Sequence, residues 1–138
     1  MTRKELYGFM SQQKLAVVGS ISVDGSPQSA LVGIAVTDAL EIIFDTLSSS
    51  RKYANLTRDP RASIVLGWLG EVTVQVEGTA YLPEGAELAR YKQVYFAAWT
   101  DGREHEKWPG IAYFVIRPNW LRYSDFDQRP PQIEEFRF

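Results

Sequence analysis

Apolar and polar positions alternate in two different rhythms along this chain, and the switches between them outline its elements. Leu6, Phe9 and Met10 recur at helical spacing behind Thr2, a residue suited to capping, so a short helix opens the chain. Leu15 to Val23 is apolar and β-branched, Asp24-Gly25-Ser26-Pro27 supplies turn chemistry, and Gln28 to Thr37 returns as a second strand. Leu40 to Phe44 reads as a third strand, and the three residues before it are too few for a crossover helix, so the pairing is antiparallel. Ser48-Ser49-Ser50 then leads into a helix-competent stretch that stops near Asp59-Pro60. Ala62 to Trp68 and Val72 to Tyr81 are further strands, the latter setting Val72, Val74 and Val76 against Thr73, Gln75 and Glu77. A helix follows over Pro83 to Ala98. Ile111 to Ile116 and Trp120 to Phe126 read as two strands separated by Arg117-Pro118-Asn119, and Gln132 to Phe138 as an added edge strand.

Six or more strands joined mostly by short connections predict a mainly β fold with peripheral helices, an antiparallel barrel and not a doubly wound parallel sheet. Nothing in the pattern repeats or marks a linker, and 138 residues suit one domain. No apolar run approaches the length of a membrane span, and Met1-Thr2-Arg3-Lys4-Glu5 leads into an amphipathic segment, so no membrane association is expected and the cytoplasm is the default location.

Composition narrows the chemistry. Cysteine is absent and His105 is the single histidine, which excludes thiol nucleophiles, zinc ribbons and histidine-rich metal centres. A net charge of -2 offers no general attraction to nucleic acid, so any anion must be met by a local cluster of cations. That cluster is Arg51-Lys52, at the start of the predicted second helix and just after Phe44-Asp45-Thr46. Helix-start N–H groups, the hydroxyls of Thr46 and Ser50, a guanidinium and an ammonium together make a phosphate site. Taken alone, the pattern equally describes a serine-capped surface helix.

The order of motifs goes further. Phe44-Asp45-Thr46, Ser50-Arg51-Lys52, Asp59-Pro60-Arg61-Ala62 and Val74-Gln75-Val76-Glu77-Gly78 resemble the pyridoxamine 5'-phosphate oxidase-like family over most of the chain. The resemblance implies a six-stranded split β-barrel that binds flavin mononucleotide (FMN), works as a homodimer and oxidises or reduces a small-molecule substrate. It implies that Asp45, Thr46, Ser50, Arg51 and Lys52 surround the cofactor, with Thr73, or Gln75 after a slip of two, near its ring. The wider superfamily also makes a deazaflavin or haem a candidate for the same groove, and a flavin store or sensor without turnover a further one. The stretch Ala30 to Ala35 lacks the arginine and lysine of the oxidase proper, and Trp120-Leu121-Arg122-Tyr123 lacks its histidine, which argues against pyridoxamine phosphate as the substrate.

His105 lies in Asp101-Gly102-Arg103-Glu104-His105-Glu106-Lys107-Trp108, a run of alternating charge that usually marks a solvated turn. It is nonetheless the candidate proton donor at the mouth of the flavin pocket, because imidazole changes charge near neutrality. Trp99 and Trp108 read as core or interface anchors, and Glu134-Glu135 as an exposed strand face.

Overall fold

The computed structural model describes residues 1–138 and contains seven strands and four helices in the order α1 (Arg3–Met10), β1 (Leu15–Ile21), β2 (Pro27–Val36), β3 (Ile42–Leu47), α2 (Arg51–Arg58), β4 (Arg61–Gly67), β5 (Val72–Tyr81), α3 (Gly85–Ala98), α4 (Gly102–His105), β6 (Ile111–Asp125) and β7 (Gln132–Arg137). All pairings are antiparallel. The sheet runs β3-β2-β1-β4-β5-β6-β7, and a further pairing of β3 with β6 closes the first six strands into the expected split barrel. No helix is long and apolar enough to cross a membrane.

Strand alternation sorts the side chains. Ala16 and Val18 of β1, Val32 and Ile34 of β2, Ile64 and Leu66 of β4, and Val74 and Val76 of β5 point inward, joined by Phe44, Phe114 and Leu121. At one end α1 inserts Leu6 and Met10, both fully buried, and is stopped from fraying by a Thr2–Glu5 capping box. The other face of β3 and of β6 turns Ile43, Tyr113 and Val115 toward α3, where Tyr91, Tyr95 and Phe96 form a second, aromatic cluster. Trp99 fixes the end of α3 to β2: its Nε1 donates to the Ile34 carbonyl at 2.8 Å, and its ring lies where a Cβ on Gly33 would stand.

Two expectations need correction. The residues Arg117-Pro118-Asn119 do not separate two strands; they lie inside the continuous β6, which pairs with β5 along both halves through a register shift at Glu77/Gly78. Proline is tolerated at such an irregularity, and Gly78 is required opposite it because a Cβ there would stand 2.3 Å from the Arg117 carbonyl oxygen. Leu40 does not begin β3. It adopts φ 65° in a turn closed by Leu40 N donating to Thr37 O and Thr37 N to Glu41 O, which tucks its side chain into the core before the strand starts.

Candidate functional site

The carboxyl end of β3 delivers the chain to the start of α2, and Ser50 is the hinge between them. Its Oγ accepts from Tyr53 N at 3.2 Å as an N-cap and lies 2.8 Å from Thr46 Oγ1, so the two hydroxyls lock the helix start onto the strand. One of their two protons is used between them, leaving the other for an outside acceptor. The N–H groups of Arg51 and Lys52, the first two helical positions, have no acceptor within the helix. Deeper in α2, buried Asn55 donates to Ser20 Oγ at 3.0 Å and Gln28 Oε1 at 2.9 Å, pinning the helix to β1 and β2.

Arg51 and Lys52 stand where a helix dipole disfavours cations, with no acidic residue in the first turn to offset them. Neither forms an ion pair within the chain. Partial burial pushes the Lys52 ammonium below its ordinary range, a trend the Asp45 carboxylate partly offsets. Both side chains line a small cavity with Val18, Ser20, Gln28, Ser29 and Ala30. Two desolvated or unpaired cations and two free N–H groups converging on one cavity fit a phosphate.

That cavity opens onto the outer face of β1, β2, β4 and β5 through Ser20, Gln28 and Ser29, which also line a cleft of about 440 Å³ bounded by Arg61, Ser63, Glu77 and Asn119. An adjoining cleft of about 380 Å³ shares Gly19, Ser29, Ser63 and Glu77 with it and adds Gln75, Val65 and Trp120. The floor is low because Gly19 has no side chain: a Cβ there would stand 2.3 Å from Ser63 Oγ. Arg61 is held by Asp59 through Nε–Oδ1 at 3.0 Å and Nη2–Oδ2 at 2.7 Å, which keeps the Asp59 carboxyl down at about 2.

The structure thus brings Thr46, Ser50, Arg51 and Lys52 together and places Gln75 in the connected clefts. Thr73 shares the outward face of β5 with Gln75 but lies one pair further along, opposite Gly67 and Ser124, outside the lining of these clefts. Asp45 faces the other way. Strand alternation turns it from Thr46 toward α3 and α4, where its Oδ2 is buried without a hydrogen-bond partner, 3.6 Å from His105 Nδ1. His105 stacks on Trp108 with ring centroids 4.1 Å apart, so the histidine lies beside Asp45 and lines none of the clefts described. Burial, followed by the Asp45 charge, pushes the phenols of Tyr95 and Tyr113 up, the latter to about 12. The sequence singled out the cations. It missed Asn55, Ser20, Gln28 and Ser29, whose polarity inside otherwise apolar strands and a helix face was the available signal.

A family model described as pyridoxamine 5'-phosphate oxidase matches residues 2–125. The chain belongs to this family. Among solved structures, the pyridoxamine 5'-phosphate oxidase fold recurs in a heme binding protein from Mycobacterium smegmatis (TM-score 0.85, 17% identity, 98% of this chain and 57% of that one). It recurs in a conserved hypothetical protein from Mycobacterium tuberculosis (TM-score 0.74, 26% identity, 89% and 84%). A third is a pyridoxamine 5'-phosphate oxidase-related, FMN binding protein from Nostoc punctiforme (TM-score 0.67, 11% identity, 91% and 86%). The chain spans little more than half of the M. smegmatis protein. No curated protein matches it.

Proposed function

We propose that the protein binds FMN, with the phosphate at the α2 start and the ring along the outer clefts, and acts as a flavin-dependent oxidoreductase on a small organic substrate. The observation that carries this reading is the pair Arg51 and Lys52, unpaired and converging on a cavity at a helix N-terminus. Thr46 and Ser50 would orient the phosphate, and Ser29, Ser63 and Gln75 would offer hydrogen bonds along the connected clefts. When bound, flavin supplies the electron transfer, so the chain itself need only bind, orient and exclude water.

Solvent exclusion requires a cover, and a second copy of the chain is our choice for it. Leu15 and Leu31 are exposed on the outer face, Leu31 at 62%, beside half-buried Val17 and Val65. The register puts Val17 next to both Leu31 and Val65, so these side chains form one apolar strip bordering the clefts. A homodimer burying that strip would wall the ring from water.

The test is the absorbance spectrum of the purified protein, followed by titration of stripped protein with FMN, a deazaflavin and haem. FMN is expected to bind most tightly and to bleach with reductant. A colourless protein that takes up none of the three refutes the reading; preference for deazaflavin or haem replaces the cofactor; bound FMN without turnover with any donor or acceptor makes the protein a flavin carrier or sensor.

A further inference from the structure

The turn that joins β4 to β5 is built at a conformational cost and leaves apolar side chains in solvent. Gly67, Trp68 and Gly70 adopt φ 102°, 64° and 65°, a region that a side chain as bulky as tryptophan disfavours. The turn is nonetheless firmly held: Trp68 N donates to Val72 O at 2.7 Å, Glu71 N to Asp127 Oδ2 at 3.2 Å and Phe126 N to Glu71 O at 3.1 Å. Trp68 is 45% and Leu69 89% exposed, and with Leu15 they line a groove of about 340 Å³. Through Leu15 the turn is continuous with the apolar strip of Val17, Leu31 and Val65. In a chain with 23% charged residues, the outward positions from Leu15 to Gly19, and those beside them on β2, β4 and β5, carry one charge, that of Glu77. Depletion of charge marks the centre of an interface.

The turn and the clefts lie at opposite ends of this face. From the Val17–Val65 pair, Ser63 and Arg61 of the clefts stand two and four residues along β4 in one direction, and Trp68 and Leu69 three and four in the other. At about 3.4 Å per residue both features lie about 7–14 Å from that pair. A two-fold axis through the pair, normal to the sheet, therefore carries the turn of one copy onto the clefts of the other. The same rotation exchanges the β4–β5 side of the sheet with the β1–β2 side. The turn thus arrives over β1 and β2, where Gln28 and Ser29 join the clefts to the cavity of Arg51 and Lys52. Such a contact is isologous, closes on itself and forms twice. A foreign partner would have to supply both a protruding apolar turn and a matching hollow; a second copy has both on one face.

We propose that Trp68 and Leu69 of the partner subunit close the clefts of each copy, so that the cofactor pocket is completed in trans. Two apolar side chains laid over the clefts exclude water from a bound ring, and a turn already fixed in shape loses little freedom when it docks. The strain at Trp68 then has a role: it keeps the indole beside Leu15, on the interface side of the sheet. The inference rests on the reading of the clefts as a flavin site walled by a second copy, and it names the segment that forms the wall.

The chain has no cysteine, so an introduced pair reports without interference. Leu69 and Ser29 are both exposed, and about 20 Å of sheet separates them within one chain, too far for a disulfide. Mild oxidation of the double variant Leu69→Cys, Ser29→Cys is expected to give a covalent dimer on a non-reducing gel, and neither single variant should. In parallel, the double variant Trp68→Gly, Leu69→Ser, in which glycine accepts the positive φ, should remain dimeric by sedimentation. It should bind FMN about tenfold more weakly than the wild type and leave the flavin several-fold more open to quenching by iodide. Cross-linking by Leu69→Cys alone, a ladder of larger species, or a dimeric double-cysteine variant that does not cross-link overturns the placement of the turn. Unchanged affinity and quenching in dimeric Trp68→Gly, Leu69→Ser overturns its role as a cover; should that variant dissociate, the cross-link decides. A wild type that sediments as a monomer overturns the inference together with the homodimer. A wild type that takes up no FMN while the cysteine pair cross-links overturns the cofactor reading alone and leaves the turn where we place it.

Discussion

Replacing Arg51 by glutamine should strengthen the empty protein and weaken the loaded one. Arg51 is exposed, makes no ion pair and sits at the first helical position of an eight-residue helix whose first turn holds no acid. A cation at that end opposes the helix dipole by about 0.3–1 kcal/mol, so removing it should raise the stability of the cofactor-free protein by that amount. For a chain of this length that is a rise in Tm of about 1–4 °C. Glutamine has nearly the helix propensity of arginine, so no other local term changes much. With FMN present, the same change removes a charge-assisted contact of about 1.5–3 kcal/mol, or about ten- to a hundredfold in affinity. Urea unfolding of stripped protein gives the first number and quenching of flavin fluorescence the second. Both effects should shrink as salt is raised. A destabilised empty protein, or FMN affinity unchanged within about twofold, would refute the argument that this helix start is kept cationic for an anion.

Other outcomes follow from other contacts. Gly78→Ala should destabilise by about 3 kcal/mol or more in denaturant, because the new methyl collides with the Arg117 backbone at the bulge as well as with the buried Ile116 side chain. Asn55→Ala strands Ser20 and Gln28 under α2; we expect a loss of about 2 kcal/mol in unfolding and weaker FMN binding in the same variant. Asp24 and Asp59 both titrate near 2, Asp24 through hydrogen bonds from Ser22 and Ser26 and Asp59 through Arg61. Carboxyls lowered in the folded state stabilise above about pH 4 and lose that contribution as pH falls toward about 2, so the double variant Asp24→Asn, Asp59→Asn should flatten the acid limb of a Tm against pH curve.

Much of the barrel could be read from alternation. Val72 to Tyr81 appears as β5 with the bounds the pattern predicts, and Thr2, Ser50 and Asp59 mark helix ends where capping and the following proline require them. What could not be read depends on partners distant in sequence. Pro118 looks like a strand break until Gly78, forty residues away, is seen to make room for it. Leu40 carries strand propensity, but burial of its side chain in a tight turn outweighs the cost of a positive φ. The meeting of Thr46, Ser50, Arg51 and Lys52 at the α2 start was legible because its parts are local, all four lying within one strand end and the helix start after it. The outer clefts were not, because Gly19, Ser29, Ser63 and Gln75 meet only through registers set by the whole sheet. Asp45 was grouped with Thr46 by adjacency, and strand geometry sends neighbours to opposite faces.

That alternation makes β3 intolerant of length change. Phe44, Asp45 and Thr46 serve three separate environments, the barrel interior, the α4 side and the helix start, one residue apart. An insertion or deletion of one residue anywhere between Ile42 and Thr46 would rotate a carboxylate into hydrocarbon and a phenyl ring toward the imidazole. Along β3, therefore, one side chain can be exchanged for another more readily than a residue can be added or removed.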